Sequence, residues 1–589
     1  MKKNIKNTDK KPKLQMSTIK KVLSAIKRYR LLLILSIILA TVTVALSLYI
    51  PIIIGKAIDL IIDTGNVDFD NILPKLLNVG IIAIIIAFLQ WIMNNINNKI
   101  TFNVTRDIRN QAFDKLERLP LKYIDKNSHG AILSKLISDV DELANGLLMG
   151  FTQFFTGIVT IIGTLIFMIT ISPIITIVVV VFTPLSLLVA SFISKRTFSL
   201  FKVQSEHRAS QTSIIEECIG NIKVVKAFSH EDEAQVEFDE ANEKLANASV
   251  KAIFFSSLVN PTTRFVNALV YAGVALVGAF IAIDGGANAI SVGALATFLS
   301  YATQYAKPFN EISGVVTELQ NALACATRVF DLIDEKEEVA DAKKELGQAN
   351  GDVSLQGVDF SYTPNKELIK DLSIDIKAGM RVAIVGPTGC GKTTLINLLM
   401  RFYDVDSGSI SVDGNDIRDV TRHSLRKNYG MVLQETWLQG GTIKDNIKIG
   451  KPDATDEEII SACKSSHAHS FIKRLPMGYD TIVSENGSSL SAGQRQLLCI
   501  SRIMLCLPPM LILDEATSSI DTRTELKIQD AFATLMRGRT SFIVAHRLST
   551  IRDADLILVM RDGNVIEKGN HNELLEKKGF YYTLYNSQF

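Results

Sequence analysis

From Leu143 to Ser194 the chain carries no charged residue. As one helix that run would extend ~78 Å at 1.5 Å per residue, far beyond a hydrocarbon core of about 30 Å, so it must cross a bilayer twice. Ser172-Pro173 is the natural point of reversal, because proline ends a helix and restricts the residue before it. Leu31–Gly55 and Leu76–Asn98 are also free of charge. Ala252–Ile283, interrupted only by Arg264, and Ala287–Ala306 supply two more runs, turning at Asp284-Gly285-Gly286. Six membrane-crossing helices are therefore expected. Apolar residues make up 47% of the chain and mean hydropathy is +0.22, with the excess in the first half. A basic segment ending at Arg30 precedes the first run, as in a cleaved leader. That run is too long for a leader, lacks a small-residue cleavage site, and is followed by further spans.

Loop charge sets the expected orientation. The 99–142 connection is rich in Lys and Arg, from Lys99 and Arg106 to Lys135, and so is 195–251, from Lys195 to Lys251. Residues 55–75 hold Lys56 and Lys75 against Asp59, Asp63, Asp68 and Asp70. Both chain ends should lie in the cytoplasm, with two long, helical cytoplasmic excursions. The expected division is a basic N-terminal segment 1–30, a transmembrane domain 31–330, a charged linker 331–350 and a C-terminal domain 351–589. In the last of these, strand and helix patterns alternate as in an α/β fold. A net charge of +2 argues against a nucleic-acid binder. Six scattered cysteines show no metal-type or disulfide spacing and read as reduced thiols.

Gly386-Pro387-Thr388-Gly389-Cys390-Gly391-Lys392-Thr393 fits the phosphate loop G-x-x-x-x-G-K-S/T, between an apolar strand at 381–385 and a helix opening at Thr394. Glycine lets successive N–H groups turn inward, and the helix N-terminus adds partial positive charge, which suits the phosphates of ATP. Lys392 would reach the β- and γ-phosphates and the Thr393 hydroxyl would hold Mg²⁺. Met510–Glu515 is an apolar strand ending in two acids, Asp514 for Mg²⁺ and Glu515 to polarise the attacking water. Between them lies Leu490-Ser491-Ala492-Gly493-Gln494, in which Ser491 is also a good helix N-cap.

On these residues the C-terminal part resembles an ABC transporter ATPase, and the whole chain resembles an ABC exporter half-transporter of the multidrug and lipid-flippase group. The resemblance implies a membrane all-α domain of six helices fused to an α/β P-loop ATPase. It implies further roles by position. Tyr362 would stack on adenine, Gln434 would touch Mg²⁺, and Asp521 in Ser519-Ile520-Asp521 would communicate across a dimer. His546 would contact the γ-phosphate, and Glu485 would lie in a loop that meets the transmembrane domain. Ser491, Ala492, Gly493 and Gln494 would close on the phosphate loop and Thr394 of a second half-transporter. Short coupling helices are expected near Leu119–Asn127 and Ser213–Asn221. Ala492 stands where the family usually has glycine. With Glu515 intact, that departure slightly favours a heterodimer over a homodimer.

The implied function is ATP-driven, multidrug-type export of amphiphiles across the cytoplasmic membrane. A lipid or peptide exporter, an ATP-gated channel or regulator, and a siderophore-type importer share the same motifs. Arg264, Lys307 and Glu311 fall at similar depth and are candidates for a substrate entrance, with snorkelling as the plainer account. Cys390, at a helix N-terminus two residues from Lys392, is expected to be the most reactive thiol, with packing under the loop as the alternative.

Overall fold

The computed structural model describes residues 16–63, 66–283, 290–363, 368–433, 436–484, 487, 489–514, 520–544 and 551–588. The chain forms two compact units, one of Met1–Glu117 with His129–Glu335, the other of Arg118–Ser128 with Lys336–Phe589.

Among its described residues the first unit is helical apart from one small hairpin. Its elements are α1 (Met16–Lys27), α2 (Arg30–Ile58), α3 (Phe69–Glu117), α5 (His129–Leu136), α6 (Ser138–Met149) and α7 (Phe155–Ile171). Then follow α8 (Pro173–Gly220), α9 (Ile222–Ala227), α10 (Glu231–Ser257), α11 (Val259–Ile283) and α12 (Val292–Ile333). The hairpin, β1 (Ile61–Asp63) with β2 (Asn66–Val67), joins α2 to α3. Among the described residues, the helical stretches Arg30–Ile58, Phe69–Glu117, His129–Ile171 and Glu231–Ile283 are long and apolar enough to cross a membrane, and Pro173–Phe182 is a shorter apolar stretch. Ser172 adopts an extended conformation between α7 and α8, accepts from the Ile175 N–H, and is followed by proline at the first helical position. The helix therefore breaks at the dipeptide where a reversal is expected. The turn expected at 284–286 lies outside the described residues.

Close crossings hold the helices together. At the ends of α2 and α12, a Cβ built on Gly55 would sit 2.4 Å from the Gly293 carbonyl oxygen. Beside it, Asp59 accepts from the Ser291 hydroxyl at 2.7 Å and the Gly293 N–H at 2.7 Å. Leu48, Met168, Ile175, Val274, Phe298 and Tyr301 belong to one buried apolar cluster. The short helix expected at Ser213–Asn221 is instead the end of α8. Asn221 (φ −111, ψ 22) breaks the helix, and α9 follows.

The second unit is α/β, as expected. Its main sheet has the order β14-β13-β5-β12-β11-β8, from β5 (Arg381–Val385), β8 (Tyr429–Val432), β11 (Met510–Asp514), β12 (Thr540–Val544), β13 (Leu556–Arg561) and β14 (Asn564–Gly569). All run parallel except β14. Alternate residues face opposite cores: Val382, Ile384 and Ile512 one, Ala383, Val385, Leu511 and Leu513 the other. A separate antiparallel sheet joins β3 (Val353–Phe360), β4 (Ile369–Ile376), β6 (Ser407–Val412) and β7 (Asn415–Asp416). The unit also holds the short helix α4 (Leu121–Lys126), inside the stretch expected to form a coupling helix. Residues of the expected linker are laced into it. Asp341 receives the Arg422 backbone N–H at 3.0 Å and its guanidinium at 2.6 Å.

Candidate functional site

β5 ends at Val385, and the chain turns at once through Gly386, Gly389 and Gly391, all at positive φ (153, 81 and 104). A Cβ at Gly386 would lie 2.2 Å from the Met560 carbonyl oxygen, so the close approach of β13 excludes a side chain there. Gly391 is the N-cap of α13 (Lys392–Leu399), which begins within the motif and not after it. Lys392 Nζ donates to the Gly386 and Pro387 carbonyls at 2.8 and 3.0 Å, holding the ammonium over the mouth of the loop. Thr388, Gly389 and Thr393 are exposed, whereas Thr394, in the first turn of α13, is buried. Loop backbone, helix N-terminus and Lys392 together make a nest for phosphate oxygens.

Cys390 overturns the expectation made for it. Its side chain is 3% exposed and lies in the apolar core under the loop. Burial pushes its thiol up, and the nearby Lys392 does not outweigh that. A helix N-terminus activates a thiol only when the thiolate can be solvated, and here it cannot.

Tyr362 is half-buried in an edge-to-face cluster with Phe360 and Tyr403, at ring separations of 4.9 and 5.0 Å. Its hydroxyl accepts from Asn397 Nδ2 at 3.3 Å. The expected adenine platform is thereby tied to α13, the helix that carries Lys392. Neither Asn397 nor Tyr403 was picked out by motif. The nearest sequence signal is their spacing on and after α13. Tyr403 Oη in turn donates to Asp125 of α4. Burial first, and Asp125 second, raise its pKa above the ordinary phenol value, so it stays a donor. A cleft of about 200 Å³ beside these rings is lined by Pro120, Lys122, Ser361, Tyr362 and Asp406, among others.

Asp514 ends β11, separated from β5 by β12 alone, so acid and phosphate loop share the carboxyl edge of one parallel sheet. A hydroxyl from Thr393 and a carboxylate from Asp514 are the hard oxygen donors that suit Mg²⁺. Gln434, Glu485, Glu515, Ser519 and His546 lie outside the described residues.

The signature opens α18 (Ala492–Cys506). Ser491 and Gln494 cap each other reciprocally: the Ser491 hydroxyl accepts the Gln494 N–H and Gln494 Oε1 accepts the Ser491 N–H. Gly493 is pressed against α19 (Thr522–Met536), where a Cβ would meet Thr524 Cγ2 at 2.5 Å. Ala492 is half-buried. Arg495 donates to the Leu490 carbonyl at 2.7 Å and steadies the preceding loop, a support the motif does not announce. Asp521 caps α19 by accepting the Thr524 N–H at 2.9 Å, and such bonds hold its carboxyl below the usual range. Lys307 and Glu311 pair with each other along α12 at 3.8 Å, and Arg264 is exposed on α11.

Two family models match the chain, one for the ABC transporter transmembrane region over residues 33–309 and one for the ABC transporter over residues 369–518. A Bacillus subtilis ABC transporter ATP-binding protein, YfiC, is 39% identical over 98% of this chain and 95% of its own length. A Mycobacterium bovis fatty acid ABC transporter ATP-binding/permease protein is 44% identical over 85% of this chain and 78% of its own. The B. subtilis protein YgaD, named for multidrug export, is 34% identical over 97% of this chain and all of its own. Among solved structures, a bacterial Atm1-family ABC exporter with ATP bound superposes with a TM-score of 0.76 at 28% identity, covering 96% of this chain and 98% of that one.

Proposed function

The chain belongs to the ABC transporter family and couples ATP hydrolysis to export across a membrane, and on that premise we propose that its cargo is amphiphilic small molecules, moved outward by alternating access. The observation that carries the reading is a phosphate loop with Lys392 at its mouth, on the same chain as an apolar helical unit. The relatives named for multidrug and fatty acid transport support an amphiphilic cargo. We read the transmembrane unit as six spans with both termini in the cytoplasm, from the charge of its connections.

Bound Mg²⁺ would supply charge neutralisation at the β- and γ-phosphates, with Thr393, Asp514 and Gln434 as its holders. Lys392 binds the same phosphates, Tyr362 carries the base, Glu515 takes a proton from the attacking water, and His546 orients the γ-phosphate. Ser491 is exposed at the start of α18, and we assign it to the phosphate loop of a second half-transporter. One chain then owns half of each nucleotide site. A heterodimeric partner is slightly favoured by Ala492.

The test is accumulation of a fluorescent amphiphile in inside-out vesicles. Wild type is expected to accumulate it with MgATP, and Lys392→Ala to lose both ATP binding and transport. Glu515→Gln should keep ATP binding but hydrolyse roughly 10²–10⁴-fold more slowly, the usual cost of losing a general base. Hydrolysis by this variant near the wild-type rate would remove Glu515 from the mechanism. ATP-driven movement in the opposite direction would make the protein an importer.

A further inference from the structure

Along α3, Asn97, Thr101 and Thr105 recur every fourth residue and so share one face. They are 0%, 1% and 4% exposed, packed where α3 meets α2, α6 and α12. Met93, Ile100, Val104 and Ile108 complete the buried stripe. Among the described residues, Thr101 Oγ1, Thr105 Oγ1 and Asn97 Nδ2 have no hydrogen-bond partner. Asn97 Oδ1 receives the Ser36 hydroxyl at 2.5 Å. Whichever way the amide is turned, one of its ends is left over.

Among the described residues, other helix threonines of the unit divide: the hydroxyls of Thr43, Thr156 and Thr197 are likewise buried without a partner, while a second group bonds its own helix. Thr41, Thr164, Thr176 and Thr327 each donate back to the carbonyl four residues earlier, at 2.9, 2.6, 2.7 and 2.8 Å. Back-bonding satisfies a buried hydroxyl within its own helix. Thr101 and Thr105 forgo it. A buried polar group without a partner costs about 1–3 kcal/mol, so three on one stripe need an account. The stripe leads at one end to a charged cluster, where Asp107 accepts from Tyr29 Oη at 2.8 Å and pairs with Arg28 and Arg106 at 3.5 and 3.2 Å. At the other it enters the uncharged run that ends at Asn98.

We propose that Asn97, Thr101 and Thr105 form part of the wall of the translocation path, closed over by neighbouring helices in one state of the cycle and wetted in another, where they hydrogen-bond the polar, uncharged part of an amphiphilic cargo. The stripe itself carries no charge, so a bare ion would lose hydration there without a counter-charge. Hydroxyl, amide and ester groups would not. This rests on the export reading given above, and the test separates the two.

Thr101→Cys and Thr105→Cys are made singly in the full-length chain and reconstituted in lipid. Each is exposed to a small, membrane-impermeant methanethiosulfonate, with and without trapping by ADP and vanadate. Mass spectrometry of the α3 peptide reads the modification, so the native cysteines can stay. Met168→Cys, fully buried in a separate apolar cluster, is the control and should stay unmodified. Modification in one state and its loss in the other is expected. No modification in either state would mean a static seam, and equal modification in both a permanently wet one; each result overturns the proposal. Thr101→Val is expected to raise the KM for a neutral fluorescent amphiphile about three- to tenfold, the size of one neutral hydrogen bond. An unchanged KM would remove the cargo contact. If wild type moves no amphiphile at all, the export reading fails while the labelling still decides the stripe.

Discussion

Cys390 shows how packing can overrule a neighbour's charge. Two residues from Lys392 and beside a helix N-terminus, its thiol sits in the apolar core and is raised, not lowered. Burial raises the Cys506 thiol as well, but that residue, unlike Cys390, is exposed. A maleimide is therefore expected to label Cys506 well before Cys390, and Cys390→Ala should leave both ATPase activity and its sensitivity to the reagent unchanged. Peptide mapping after brief labelling checks this, and rapid, MgATP-sensitive labelling of Cys390 would contradict the burial. The phosphate-loop residues themselves were legible because the motif is local: turn, cation and helix start lie within eight successive positions. The fate of Cys390 was not, because what covers it comes from far along the chain. Gly563 N–H bonds the Cys390 carbonyl at 3.1 Å, and the Met560 carbonyl crowds Gly386. Asn397 and Tyr403 escaped notice for the same reason.

At the scale of elements, signals that act within one turn were readable. Ser172-Pro173 both ends α7 and caps α8, and reciprocal Ser491–Gln494 capping opens α18. A boundary set by a single residue's dihedrals was harder to place, and Asn221 put the short helix of the second excursion later than expected. Gly493 carries a role that its motif hides. A methyl there would press on Thr524 at 2.5 Å and Ile520 at 3.0 Å. Gly493→Ala is thus expected to destabilise the second unit by about 1–3 kcal/mol, the usual cost of overpacking, even without nucleotide. Thermal unfolding of purified protein in the absence of ATP measures it. An unshifted transition would confine the glycine's importance to ATP. Ala492, one position earlier, is half-buried and less constrained, which agrees with a natural side chain being present there.

For the whole molecule, membrane and ATPase parts were legible from the alternation of uncharged runs and βα patterns, but the division between the compact units was not. Hydropathy and charge mark where the chain enters a bilayer. They do not reveal that residues 118–128 are counted with Lys336–Phe589, nor that Asp341 would be claimed by Arg422. That discontinuity has a practical consequence. A protein begun at Lys336 is an incomplete object: it lacks α4, the partner of Tyr403 and one wall of the cleft beside Tyr362. In the intact chain the missing piece is held nearby by its own covalent connection, which raises its effective concentration. The fragment Lys336–Phe589 should accordingly melt below the corresponding transition of the intact protein. Millimolar amounts of a peptide spanning residues 118–128 should restore part of the difference, and Tyr403→Phe should blunt that rescue. A melting point indifferent to the peptide would make the missing strip ornamental. Rescue would make the ATPase unit a split protein, two pieces rejoined across more than two hundred residues of sequence, so that a pair of proteolytic nicks flanking residues 118–128 would release part of the motor without touching a nucleotide-binding residue.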